Sequence, residues 1–215
     1  MPRPVIDTQE TNEYYTIKVT KPSLRYIDFF LKLNCATELV STGFYPNGKE
    51  ISETQGAFEA VRHKLKLDYK NESIAIVVVG DGYNPRTGYY ISCMTRWKIF
   101  SVDPAMERDL PELIEKIKHR KNIQIFPQKI EECSFNLTDF ETVVLLFVHS
   151  HASLKASVES LIINPRAQLH AVSMPCCFDD DLGIPYDLKF DDPFVISVHR
   201  SLFIYKDIMK YFQNE

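Results

Sequence analysis

From residue 74 onward, short apolar runs alternate with segments whose apolar residues recur at helical spacing. Five runs read as strands: 74–80, 98–103, 122–126, 142–149 and 169–174. The fourth, Val143-Val144-Leu145-Leu146-Phe147-Val148, is apolar at every position instead of alternating. A strand of that kind is covered on both faces, so it belongs in the middle of a parallel sheet. Between the second and third runs, Pro111 suits the first position of a helix that carries Leu113, Ile114 and Ile117. Between the fourth and fifth, Leu154, Val158, Leu161 and Ile162 share a helical face, and Asn164-Pro165 stops the helix. Strands separated by helices predict an α/β fold: a doubly wound, mostly parallel sheet with its ligand at the carboxyl ends of the strands. Right-handed crossovers then give the strand order 3-2-1-4-5. Residues 194–198 and 201–205, either side of His199-Arg200, read as two short strands.

The first 70 residues follow a different pattern. Residues 1–13 are polar and read as loose, and 14–19 reads as a short strand. Leu24, Ile27, Phe30 and Leu31 fall on one helical face after Pro22 and a Ser23 cap. Ser52 and Gln55 form a capping box ahead of Phe58, Val61 and Leu65. We therefore expect residues 1–70 to be an N-terminal extension, mainly helical cover, and 71–215 to be one cofactor-binding unit with no long linker between them.

Composition narrows the class. At 215 residues, 45% hydrophobic and 25% charged, the chain suits one sizeable globular core. A net charge of −4 gives no overall pull on nucleic acid or anionic lipid. The basic run Lys116, Lys118, His119, Arg120 and Lys121 reads as a solvated helix end. Five cysteines (Cys35, Cys93, Cys133, Cys176 and Cys177) are odd in number and contain no CxxC pair, which argues against a disulfide framework and a zinc knuckle. Without a signal-like h-region or a long apolar span, an intracellular, cytoplasmic setting with no membrane partner is the expectation.

The candidate chemistry sits at the strand ends. Ile76-Val77-Val78-Val79 runs into Gly80-Asp81-Gly82, and the second strand ends in Asp103, 21 positions after Gly82. Glycines let backbone approach a ligand closely, and a strand-end carboxylate accepts hydrogen bonds from ribose hydroxyls. Asn84 stands where a third glycine would serve, and Pro85 stiffens the turn. The alternative reading is a plain tight strand-to-helix turn. These strands, with the Gly80-Asp81-Gly82 turn and Asp103, resemble the class I S-adenosylmethionine-dependent methyltransferases over about residues 70–205.

The resemblance implies a Rossmann-like fold, with 194–198 and 201–205 closing its sheet as an antiparallel edge, that binds S-adenosylmethionine through Gly80, Asp81, Gly82 and Asp103. It places the loop Pro127-Gln128-Lys129 beside the adenine, with Gln128 as a contact. It also turns His149-Ser150-His151 toward the sulfonium and the acceptor, which makes His149 both a cofactor contact and a candidate base. In the bland alternative, Ser150 caps the next helix and a histidine merely bonds backbone. Pro175-Cys176-Cys177 ends the fifth strand, and Cys176 is a candidate nucleophile. Against that, small packing cysteines are common, and Asp179-Asp180-Asp181 would raise a neighbouring thiol pKa. His149 and His151 with a distant cysteine lack a third ligand by spacing, so no metal is expected. The acceptor, whether small molecule, protein or RNA, is left open. An NAD(P)-dependent oxidoreductase would suit the same glycines and Asp103, and a non-catalytic binding protein would keep the fold alone.

Overall fold

Alternation within the apolar strands builds two cores at once. In β1 (Ile74–Val79), Ile74, Ile76 and Val78 enter the core on one face of the sheet, and Ala75, Val77 and Val79 enter the other. In β4 (Thr142–Val148), Val144, Leu146 and Val148 face one way, and Val143, Leu145 and Phe147 the other. All residues of both strands are buried, as a doubly covered sheet requires. The structure, a computed structural model, describes residues 7–10, 15–18, 24–177 and 182–212.

The other strands of this sheet are β2 (Lys98–Val102), β3 (Ile123–Phe126), β5 (Gln168–Met174), β6 (Leu188–Asp191) and β7 (Ser201–Tyr205). Their order is β6-β7-β5-β4-β1-β2-β3. Strands β1 to β5 pair in parallel, and β7 runs antiparallel to both β5 and β6. The order 3-2-1-4-5, the antiparallel edge and the central place of β4 are as the sequence implies. The chain leaves β1 toward β2 and β3, then returns to start β4 on the other side. That reversal puts the topological switch point between β1 and β4, where α/β sheets open a ligand crevice.

Helices α1 (Arg25–Leu31), α2 (Ala36–Ser41), α3 (Gly48–Glu59), α4 (Arg86–Met94) and α5 (Leu110–Ile117) contribute to the first core. Phe30 of α1 stacks on Tyr90 of α4 at 6.1 Å between ring centroids, and Phe58 of α3 meets Tyr90 edge-on at 5.6 Å. The helices before residue 70 thus share apolar surface with those after it. Helix α6 (Leu154–Glu159) and the 3-10 turns at Ile130–Glu132 and Ile208–Tyr211 cover the second face.

Several local expectations are corrected. Helix α3 starts at Gly48, not at Ser52: Asn47 accepts the Glu50 N–H at 3.0 Å and caps it. Ser52 lies inside the helix and accepts the Ile196 N–H at 2.8 Å. That contact also explains why 194–198 is no strand. Val195 and Ile196 are buried, and the Val195 methyl presses against Gly56 of α3, where an added Cβ would come within 2.5 Å. The strand beside β7 is β6 instead. Helix α6 stops at Glu159, and Leu161–Ile163 pairs in parallel with Phe135–Leu137. The β-branched Ile162-Ile163 suits that extended pairing better than a helix end. Asp7–Glu10 pairs antiparallel with Tyr15–Lys18 where polar composition predicts a loose segment. A backbone ladder needs no apolar side chains. Ser23 and the aspartates at 179–181 lie outside the described residues.

Candidate functional site

At the carboxyl end of β1 the backbone turns through two left-handed glycines, Gly80 at φ +74° and Gly82 at φ +87°. Gly80 N–H donates to the Val102 carbonyl at 2.8 Å, which extends the β1–β2 ladder by one rung. A Cβ on Gly80 would stand 2.5 Å from Ser150 Oγ, so this glycine lets the turn abut the loop after β4. At Gly82 the place of a Cβ is open, with nothing within 4 Å. Its N–H donates to Asp103 Oδ2 at 2.8 Å, and Ala105 N–H donates to Asp103 Oδ1 at 2.8 Å. Asp103 therefore ties the glycine turn to the end of β2.

Asp81 is a correction. The resemblance implies a cofactor contact, but its carboxylate is buried and turned into α4. Oδ1 accepts the Thr87 N–H at 2.9 Å, while Oδ2 accepts the Gly88 N–H at 2.9 Å and the Ser101 hydroxyl at 2.7 Å. It caps a helix whose own first residues offer no cap. Burial pushes this carboxyl above its ordinary range, against the pull of those hydrogen bonds. Gly88 is the glycine at which α4 packs on the sheet. A Cβ there would meet Ser101 Cβ at 3.0 Å, so α4 lies close on β2.

Four strand ends enclose one crevice of about 340 Å³. Val79 and Gly80 line it from β1, and Val102 to Pro104 from β2. Gln128 to Glu131 follow β3, and His149 to Ala152 follow β4. The structure thus brings Gly80, Asp103, Gln128 and His149 together. The Gln128 amide donates to the Glu132 carbonyl at 3.1 Å, which fixes its side chain along the wall.

His149 holds a left-handed φ of +55°, which few residues other than glycine adopt. Its N–H donates to the Met174 carbonyl at 2.8 Å and pins the loop to β5. Nε2 lies 2.8 Å from Glu53 Oε1 on α3, a contact that is an ion pair only when the imidazole is protonated. Glu53 is buried and also lies 3.2 Å from Lys49 Nζ. Burial alone would push its carboxyl up; His149 and Lys49 outweigh that and hold it below the ordinary range. His149 Nδ1 is buried and has no hydrogen-bond partner among the described residues. Glu53 was missed from sequence because it sits in a segment read as cover. Its signal is the polar run Ser52-Glu53-Thr54-Gln55, all buried inside a helix.

Cys176 is not among the residues that line the crevice but stands at its rim, with Sγ 3.0 Å from Nε2 of His151, which does line it. Ser150 does not cap α6 either. Ser153 does so by accepting the Ala156 N–H at 3.3 Å, while Ser150 Oγ accepts the Ala152 N–H at 3.3 Å and packs under Gly80. No helix among the described residues is long and apolar enough to cross a membrane.

No family model matches the chain, and no curated protein matches it in sequence. Solved structures do resemble it. One is MtNAS, a nicotianamine synthase, in complex with MTA and tNA: 14% identity, 86% of this chain and 70% of that one, TM-score 0.48. Another is an S-adenosylmethionine-dependent methyltransferase from Aquifex aeolicus: 14% identity, 69% and 91% covered, TM-score 0.43. A third is phosphoethanolamine N-methyltransferase 1 of Haemonchus contortus: 10% identity, 86% and 48% covered, TM-score 0.46. At such identities and TM-scores these likenesses carry no activity over, and the chain's own crevice bears the functional reading.

Proposed function

We propose that the chain binds S-adenosylmethionine in the crevice at the ends of β1 to β4 and transfers its methyl group to an acceptor. The observation that supports this reading is a crevice at the topological switch point lined by Gly80, Asp103, Gln128 and His149, with Gly82 outside the lining but held to Asp103 by its N–H. The residues suit the cofactor. Gly82 leaves open space where a side chain would stand. A carboxylate has about four acceptor positions, so Asp103 can receive ribose hydroxyls beside its two backbone donors. Gln128 and Ile130 offer a wall for the adenine. When bound, the cofactor supplies an electrophilic methyl on a sulfonium.

The chain's residues do the rest. Methyl transfer depends chiefly on aligning the acceptor with the methyl carbon, which a pre-formed crevice provides. His149 is the candidate base. Glu53 stands at its Nε2, which leaves Nδ1 without a partner; since Nδ1 is buried, the imidazole has to turn toward the crevice before it takes the acceptor's proton. Isothermal calorimetry with S-adenosylhomocysteine and with NAD tests the reading. We expect one S-adenosylhomocysteine per chain and no heat with NAD. Binding of NAD alone would make the chain an oxidoreductase candidate, and binding of neither would leave a non-catalytic interaction protein.

A further inference from the structure

The loops after β4 and β5 leave adjacent parallel strands, with Val148 opposite Met174 in register. They bring together an imidazole and two thiols that lie 25 positions apart and one position apart in sequence. His151 Nε2 is 3.0 Å from Cys176 Sγ, Cys176 Sγ is 3.6 Å from Cys177 Sγ, and all three donor atoms lie within 4.8 Å of one another. His151 and Cys177 are exposed and Cys176 is half-buried, so an ion has an entry path.

The geometry points to a site for a thiophilic divalent cation, zinc by its ligand set, held by His151, Cys176 and Cys177. Two thiolates on a tetrahedral zinc stand about 3.8 Å apart, given Zn–S bonds of about 2.3 Å. The observed sulfur–sulfur separation is close to that. A thiolate and an imidazole on the same ion stand about 3.5 Å apart, so Cys176 and His151 need to open by about half an ångström. Their contact at hydrogen-bond distance is what a preassembled pair of ligands adopts without the ion. On binding, each thiol loses its proton to solvent and the imidazole binds in its neutral form, so affinity rises with pH. Three protein ligands leave a fourth position for water or another ligand, the pattern of open rather than closed zinc sites. Because His151 also lines the crevice, the ion would sit at the crevice rim. A single Cys–His nucleophile pair would have no use for the second cysteine, and the spacing of the two sulfurs favours the metal.

The test uses the full, untagged chain, reduced with a phosphine and stripped with a chelator, and titrated with Co²⁺ alone. We expect one Co²⁺ per chain with a thiolate-to-metal charge-transfer band in the near ultraviolet, displaced stoichiometrically by Zn²⁺. Cys176→Ser and Cys177→Ser should each weaken binding by more than the ~10–100-fold that losing an outer-shell partner costs. All three side chains are at least partly exposed, and circular dichroism checks that the variants fold. Absence of the band would overturn the proposal, as would its survival in the Cys176→Ser/Cys177→Ser double variant, which retains Cys35, Cys93 and Cys133. Rapid, His151-dependent alkylation of Cys176 that added Co²⁺ or Zn²⁺ does not suppress would overturn it in favour of a thiol–imidazole pair. No step uses S-adenosylhomocysteine, so this site and the methyltransferase reading stand or fall separately.

Discussion

Asp103 Oδ2 accepts the backbone N–H of Gly82 at 2.8 Å, so the carboxylate that ends β2 holds the turn that ends β1. The residue assigned to ribose also shapes the glycine turn beside it. Asp103→Ala removes both roles. With the charged hydrogen bonds to ribose worth about 1.5–3 kcal/mol together, S-adenosylhomocysteine affinity should fall about 10–150-fold. Calorimetry on the folded variant reads this directly, and parental affinity would remove Asp103 from the site.

The two glycines of the turn should respond differently to alanine. Both carry strain from positive φ, about 1 kcal/mol or more. Gly80→Ala adds a clash with Ser150, whereas Gly82→Ala meets open space. Urea titration should find Gly80→Ala the more destabilised by about 1–2 kcal/mol. Ser150→Gly in the same chain should return part of that difference. Equal losses at the two positions would mean that the close approach to the β4 loop costs nothing.

Much of this frame was legible from residue order. A strand as uniformly apolar as 143–148 belongs inside a doubly wound sheet and not at its edge, and β4 lies inside. The crevice followed from strand ends, because any loop leaving a parallel strand's carboxyl end joins its neighbours there. The misses have a common cause. Asp81, Ser52 and Glu53 are polar residues whose partners lie in other elements, and no local pattern names a tertiary partner. Gly88 was passed over because a glycine's packing role shows only when the facing strand is known. His151, Cys176 and Cys177 give no metal spacing in sequence. Parallel pairing of β4 with β5 sets them side by side.

Glu38 should mark the acid limit of the first face. It accepts from the Tyr89 hydroxyl at 2.7 Å and from Arg120 Nε at 2.8 Å, and lies 2.9 Å from His119 Nε2. Burial raises its carboxyl, but those partners dominate and bring it down to about 2. A depressed folded pKa gives stability that is full above the unfolded carboxyl's value, about 4.3, and lost as pH falls toward 2. Allowing for its partial exposure, that loss is on the order of 2 kcal/mol. Glu38→Gln should be less stable at neutral pH and show a flatter decline in thermal midpoint between about pH 4.5 and 2.5. A decline as steep as the parent's would place the acid sensitivity elsewhere.

Glu53 and His149 make the sharpest case, because one contact joins a helix before residue 70 to the crevice. Glu53 is held below the ordinary carboxylate range, with His149 and Lys49 prevailing over burial. Its contribution is therefore present above about pH 4.3 and lost as pH falls through the folded value. Glu53→Gln keeps the shape but removes the charge opposite His149 and Lys49, and should cost about 1–3 kcal/mol of unfolding free energy at pH 7. In a methyl-transfer assay Glu53 is a positioning residue acting through the imidazole. Its loss should shift the pH profile and lower kcat about 10-fold or more, while S-adenosylhomocysteine affinity changes little. His149→Ala should lower kcat at least as far. Adding Glu53→Gln to that variant should then lower kcat no further, since the pair acts as a unit. Additive losses in the double variant would show that Glu53 serves the fold alone. A kcat unchanged in His149→Ala, with folding and cofactor affinity intact, would end the case for this histidine as the base.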